Sequence, residues 1–276
     1  MASSEKAILL EKHDQIGYIT FNRPEKLNAI RPADYILFDE LVNDCESDDN
    51  IRVIIVTGKG RAWSSGDDVE AWTGSKEKEY MKGDPGLLAM DEHRFLDNAL
   101  SGYKLLPIHK TCLTLLNSGK VSIAAVNGIC RIPEYLYAMD FVVAADVATF
   151  AQGDILAGLS PMGSSTQLAP RVLGRRRAIE LILLCDPISA QEAYRVGLVN
   201  KVVPLLQLMP EAEAIARKII SYPITGIKLA KMAMTKAQDL PLQEGLEIEQ
   251  WYASMSMQGP WKTYGKQFLA KKRKLL

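Results

Sequence analysis

Three short segments carry apolar residues on both faces rather than at every second position. They are 52–57 (RVIIVT), 121–126 (VSIAAV) and 141–145 (FVVAA). A strand with no polar face must be covered on both sides, the condition of a parallel sheet clad by helices. The first run ends in Gly58-Lys59-Gly60 and the second in Asn127-Gly128, both turn signals. Helical stretches lie between the runs, so the chain predicts βα units and an α/β fold.

The rest of the chain is consistent with that frame. Two short apolar runs, 7–11 and 17–21, flank the polar His13-Asp14-Gln15 and predict a hairpin. Asn22-Arg23-Pro24 breaks the second strand. Pro32 then stands where a helix can begin, with Tyr35, Leu37, Phe38, Leu41 and Val42 as its apolar stripe. The last third carries helical stripes only, beginning with Ala214, Ile215, Ile219 and Ile220 after Pro210. The change of pattern at Val203-Pro204 divides the chain into a core of residues 1–203 and a helical region of residues 204–276. Residues 74–106 are polar and contain Gly83-Asp84-Pro85-Gly86, which suggests a loop excursion with a short helix near residues 91–100.

Composition excludes several classes. Lys plus Arg and Asp plus Glu both number 33, so no net field draws the chain to nucleic acid or to an anionic membrane. No run of about 18 apolar residues could span a bilayer. The N-terminus lacks the apolar centre of a secretory signal, and Lys274-Leu275-Leu276 bears only a faint likeness to a peroxisomal tripeptide. Cys45, Cys112, Cys130 and Cys185 share no CxxC spacing and sit in or beside apolar runs, the pattern of free thiols in a reducing compartment. The expected location is the cytoplasm. With only three histidines (His13, His93 and His109) and no HExxH spacing, no metal site is expected.

Beyond this generic frame, several stretches occur in a particular order. The first is Asn22-Arg23-Pro24-Glu25-Lys26-Leu27-Asn28-Ala29-Ile30. The second is Ala62-Trp63-Ser64-Ser65-Gly66-Asp67-Asp68-Val69. The third runs from Ala124 to Glu134 and on through Phe150-Ala151-Gln152-Gly153-Asp154 to Gly163-Ser164-Ser165-Thr166-Gln167. Ile188-Ser189-Ala190-Gln191-Glu192-Ala193 and Gly197-Leu198-Val199 complete it. In this order and spacing they resemble the crotonase family, the enoyl-CoA hydratase/isomerase superfamily, over roughly the whole chain. The resemblance implies a spiral of ββα units, a C-terminal helical region that trimerises, and an acyl-CoA substrate. Its thioester oxygen would be held by two backbone N–H groups. Donors already aimed at a developing oxyanion need no reorganisation in the transition state.

The same resemblance distributes roles among the residues. The amide of Asp67, where the family usually has Ala, is the first oxyanion donor. The family's Gly-Gly-Gly run is missing before Glu134. The second donor therefore falls to Arg131 or Ile132, unless the hole is rebuilt, because Pro133 has no N–H. Glu134 and Asp154 take the two catalytic carboxylate positions. Asp154 stands where Glu is usual, and one methylene fewer sets its carboxylate back by about 1.5 Å. Lys26 and Ala29 stand at the bend that meets the nucleotide of coenzyme A, while Phe268 and Lys271 match a C-terminal pair that reaches it from the same or a neighbouring subunit. Ser65, Gly66 and Asp68, in the turn beside the oxyanion donor, are also expected among the substrate-binding residues, although Asp68 reads as a structural acid. Trp63 and Trp72 are candidate apolar walls of the site, with core packing as the alternative. Between Gly66 and Asn127 the chain is about twenty residues longer than in compact members, a length typical of lids and binding loops. That stretch carries Tyr80, Met90, His93, Tyr103 and His109 and would roof the acyl pocket, which suggests a cyclic or branched acyl group.

The leading expectation is a hydratase/isomerase-type lyase acting on an α,β-unsaturated acyl-CoA. Coenzyme A would enter only as part of the substrate, with no other cofactor. The partners expected are that substrate and further copies of the chain, as a homotrimer or a hexamer. An alternative is a hydrolase that cleaves a C–C bond in a β-diketone or ring ketone, since a Pro directly before the Glu also resembles that branch. An alternative of another class is a non-catalytic relative that binds RNA or protein. Zero net charge and the retention of both acid positions argue against it.

Overall fold

The computed structural model describes residues 6–73 and 106–273. Of the expected roof, Tyr80, Met90, His93 and Tyr103 lie outside the described residues, as do the side chains of Trp72 and Lys271, while His109 lies on the helix Pro107–Asn117.

Strands β1 (Ile8–His13) and β2 (Ile16–Phe21) form the hairpin, in register from Ile8 opposite Phe21 to His13 opposite Ile16. Its two turn residues, Asp14 and Gln15, both have positive φ, the backbone that a two-residue hairpin requires. The three doubly apolar runs become β3 (Val53–Gly58), β5 (Val121–Val126) and β7 (Phe141–Ala145). With β10 (Lys201–Val203) they complete a six-stranded sheet in the order β1-β2-β3-β5-β7-β10, parallel from β2 onward.

A second sheet was not legible beforehand. It consists of β4 (Ala62–Ser64), β6 (Ile129–Cys130), β8 (Thr149–Phe150) and β9 (Ile188–Ser189). Each long strand β3, β5 and β7 is followed at once by a short strand of the second sheet, so the chain winds as a spiral of strand pairs. The crossings are tight. A Cβ on Gly58 would strike the Ala62 carbonyl, and one on Gly128 the Arg61 carbonyl, so only glycine lets the chain turn there.

Helix α1 (Pro32–Ser47) begins at the proline, as its φ favours. It packs with α2 (Val69–Thr73), α3 (Pro107–Asn117), α4 (Glu134–Ala138), α5 (Ser165–Leu173), α6 (Arg175–Leu184) and α7 (Ala190–Arg195) into the larger part of the molecule. The main core, with Phe21, Phe38, Trp63, Leu115, Tyr135 and Phe150, lies on one face of the long sheet. On the other face α8 (Leu208–Ile220) inserts Leu208, Ala212 and Ala216 against Val53, Ile55, Ile123 and Val143.

The packing of the core continues past residues 203–204, where the sequence pattern changes. The strand β10 ends there, but α8 belongs to the core. Even α9 (Ile224–Lys236) is anchored: buried Lys231 donates to the Leu115 and Lys120 carbonyls, both at 2.8 Å, and to Asp140 Oδ2 at 2.7 Å. Only α10 (Leu242–Met257) and α11 (Trp261–Arg273) follow beyond it, with Leu242, Trp251, Met257, Trp261, Phe268 and Leu269 exposed. Among the described residues no helix is long and apolar enough to cross a membrane.

Candidate active site

The segment after β2 is a clamp. Leu27 and Asn28 both have left-handed backbone, near +50° to +60° in φ. The buried Asn28 side chain accepts from the Arg23 amide at 2.8 Å and donates to the Ala62 carbonyl at 2.7 Å and the Lys59 carbonyl at 3.0 Å. It thereby fixes the loop to β4. The two segments then zip together: Ser65 N–H donates to Leu27 O, Ile30 N–H to Gly66 O and Asp68 N–H to Ile30 O, each at 2.9 Å. In such parallel pairing the flanking residues bond, and the residue between them directs its amide to the opposite side. That residue is Asp67, paired with Ile30. Its N–H is thus aimed away from Ile30, as an oxyanion donor must be.

Asp68 is structural. Its Oδ2 accepts from Arg23 Nη2 at 2.9 Å and its Oδ1 from the Ala71 amide at 3.3 Å. Burial disfavours its charge, but the guanidinium and the amide outweigh burial and hold its pKa below the ordinary carboxylate range. Arg23 Nη1 donates to the Ala29 carbonyl at 2.7 Å. These contacts place Asp68 outside a ligand-facing role. Trp63 is likewise corrected: it is fully buried, its Nε1 donates to the Val56 carbonyl at 3.2 Å, and its ring meets Phe21 edge-on. It is a core residue and no pocket wall. Half-buried Ser65 is spent on the clamp, its hydroxyl 3.4 Å from Lys26 O. Lys26 is exposed and paired with Glu70 at 3.2 Å.

Glu134 is the first residue of α4, and its side chain is buried with only 6% of the residue exposed. Burial raises its pKa most. Its own amide opposes this, and the charges of nearby Asp154 and Asp67 raise the pKa further, so the carboxyl stands well above its usual range. The structure thus brings together three acids that lie far apart in sequence. Asp154 is half-buried and opens the 3-10 turn Asp154–Ala157. Gly163 carries the positive φ that lets the chain pass close to Glu134 Cγ. Ser164 follows at φ 90, uncommon for a residue with a side chain, and its hydroxyl lies 3.5 Å from the Glu134 carbonyl. Cys112 Sγ donates to Gly163 O at 3.0 Å, and burial pushes its thiol up to about 12, so it remains neutral.

The structure separates the two amides expected as second donor. Arg131 N–H is bonded to the Ser64 carbonyl at 2.9 Å, prolonging the β4–β6 pairing. It is therefore committed to the sheet and does not serve the cleft. Ile132 N–H makes no backbone hydrogen bond among the described residues and is turned to the buried Cys130 sulfur, a weak acceptor. Of the two candidates, only the Ile132 amide could be redirected to a ligand.

Tyr35 was missed. It reads as one apolar position of the α1 stripe, yet its hydroxyl donates to Asp67 Oδ1 at 2.8 Å. Burial, then the carboxylates of Asp67 and Glu134, hold its pKa well above the usual phenol value, so it stays a donor. The Tyr135 and Tyr137 hydroxyls are buried and have no hydrogen-bond partner among the described residues. Phe268 is exposed on α11. Among the described residues no group of His, Cys, Asp and Glu side chains is set to hold a metal ion.

Comparison with known proteins agrees with this architecture. A family model described as Enoyl-CoA hydratase/isomerase matches residues 11–90 and 98–274. The crotonyl-CoA hydratase of Syntrophomonas wolfei is 30% identical over 245 residues, 88% of this chain and 86% of that protein. The 1,2-epoxyphenylacetyl-CoA isomerase of Escherichia coli is 31% identical over 240 residues, 86% of this chain and 85% of its own. Among solved structures, the enoyl-CoA hydratase of Bacillus anthracis superimposes with a TM-score of 0.82 at 28% identity, over 97% of both chains.

Proposed function

The chain belongs to the enoyl-CoA hydratase/isomerase family, and from that premise we propose that it hydrates or isomerises an α,β-unsaturated acyl-CoA. The observation that carries this reading is the buried, pKa-raised Glu134 within electrostatic reach of Asp154 and Asp67, with the Asp67 amide aimed away from its pairing partner Ile30. In hydration, Asp154 takes a proton from water as its oxygen bonds to Cβ. Electrons move to the thioester oxygen, held by the Asp67 N–H, and Glu134 delivers a proton to Cα. A buried Glu134 whose pKa is raised suits the donor role, and a half-buried Asp154 the acceptor role.

Coenzyme A enters as part of the substrate, with Lys26, Ala29, Phe268 and Lys271 as its proposed contacts. No further cofactor is proposed. The exposed apolar residues of α10 and α11 support assembly into a homotrimer or hexamer. Four buried free cysteines suit a reducing compartment such as the cytoplasm.

One observation favours a second reading. With Arg131 N–H bonded to Ser64 and Ile132 N–H turned to the Cys130 sulfur, the second oxyanion donor is not preset. That suits a substrate that carries its own second activating carbonyl, as in C–C hydrolysis of a β-diketone or ring ketone.

The test is to incubate the protein with a panel of linear and cyclic α,β-unsaturated acyl-CoAs and weigh the products. Gain of one water with coenzyme A retained, or a new isomer of equal mass, is expected. With a ring-ketone substrate, gain of water with ring opening would select the second reading. No change across the panel, with turnover of free β-diketones, would overturn the acyl-CoA reading.

A further inference from the structure

Asp67 is what most distinguishes this cleft. A carboxylate on the residue whose amide would hold a thioester oxygen brings a negative charge close to the one that develops there. Turned toward that oxygen, it would oppose the enolate. The structure shows what prevents the turn. Tyr35 donates its hydroxyl to Asp67 Oδ1 at 2.8 Å. The phenol is itself held firmly, with Tyr35 only 8% exposed and its ring 6.5 Å from that of Tyr135. It lies in the first turn of α1, whose start is fixed by Pro32 and by the Arg31–Asp34 capping box. Ile30, immediately before that start, is paired with Asp67 itself. Donor and acceptor therefore share one rigid frame.

The geometry points to Tyr35 as a positioning residue: by bonding Asp67 Oδ1 it holds that carboxylate against α1 and away from the oxygen that the Asp67 amide receives. This rests on the acyl-CoA reading above. It explains how an acid can occupy a position where the resemblance leads one to expect Ala.

The test uses acetoacetyl-CoA, which has no double bond to hydrate and whose enolate absorbs in the near ultraviolet, with free coenzyme A as the control. The wild type should draw acetoacetyl-CoA to its enolate. Tyr35→Phe should bind the enolate ten- to a hundredfold more weakly, as for like charges about 6 Å apart at an effective dielectric of about 20–40. Its Kd for free coenzyme A should not move. Asp67→Ala should bind the enolate more tightly than wild type, and Tyr35→Phe/Asp67→Ala should match Asp67→Ala alone. That rescue is one a merely structural tyrosine would not show. Unchanged enolate binding in Tyr35→Phe overturns the proposal, as does an equal loss in the Asp67→Ala background. If Tyr35→Phe does not fold, Asp67→Ala still decides: binding no tighter than wild type would mean the carboxylate is no liability. A wild type that binds coenzyme A but forms no enolate overturns this proposal alone, whereas one that binds neither overturns the acyl-CoA reading and the proposal with it.

Discussion

Gly163→Ala tests whether the placement of Glu134, rather than its mere presence, governs the site. At Gly163 φ is +64, and an added Cβ would lie 2.6 Å from Ile108 Cδ1 and 2.9 Å from Glu134 Cγ. Left-handed backbone costs an alanine about 1–2 kcal/mol. Making room in a packed site costs a further 1–3 kcal/mol, roughly. Gly158 is the control, with φ +75 and nothing within 4 Å of its added Cβ, so it carries the backbone cost alone. Unfolding entropy of about 2.1 cal/mol/K per residue gives about 0.6 kcal/mol/K for a chain this long. Gly158→Ala should then lower Tm by about 2–3 °C and Gly163→Ala by about 5 °C. Because a shift of about 1 Å in a catalytic group can cost ~100-fold, Gly163→Ala should also lower kcat about ten- to a hundredfold with KM little changed. Thermal unfolding and enoyl-thioester hydration rates read both effects. Equal Tm losses in the two variants, or wild-type kcat in Gly163→Ala, would refute the reasoning.

Three further outcomes are expected. Glu134 has a folded pKa raised above its unfolded value, so its neutral form contributes stability below about pH 4, and the contribution is lost as pH rises through the folded pKa. Glu134→Gln should therefore raise Tm at pH 7–8 but not near pH 4 while abolishing turnover, and a pH-independent Tm difference would contradict this. Lys231→Met should cost about 3 kcal/mol, the lower end for a broken buried pair because Asp140 is 22% exposed and keeps the Ser122 amide and hydroxyl. A Tm loss under about 1 °C would show that α9 is not anchored there. Asp154→Asn should lower kcat by about 10²–10⁴ with stability changed by less than about 0.5 kcal/mol, and a stability loss without a rate loss would make Asp154 a structural acid.

The long sheet was legible because its strands carry their own reason to be buried. A run such as VIIVT has one environment available to it, and β3 lies within one residue of where the pattern puts it. The short sheet had no such reason within itself. The strands β6, β8 and β9 are two residues each, below any period, and only the fold brings them side by side; at Gly58 and Gly128, where β3 and β5 end, a neighbouring carbonyl leaves room for glycine alone. The change of pattern at residues 203–204 says nothing of packing for a related reason. A helical stripe announces that one face is buried but not against what, and α8 buries its stripe on the sheet that precedes it.

The same distinction divides the site. Glu134 and Asp154 could be singled out because the resemblance sets a carboxylate at each position, and Asp67 because its amide follows the Gly66 turn; the fold had only to gather them. An oxyanion donor is a direction, and every residue but proline has an amide to point. Which amide is free depends on what its neighbours pair with: Arg131 is lost to the cleft because Ser64, on a strand remote in sequence, takes its proton. Tyr35 shows the converse. Its ring satisfies the apolar stripe of α1, so its hydroxyl looked incidental, and only the pairing of Ile30 with Asp67 brings a carboxylate to it. The substitution of Asp for the usual Ala was visible in the sequence as a disagreement. What resolves it, on this structure, is a second polar atom hidden inside a hydrophobic pattern.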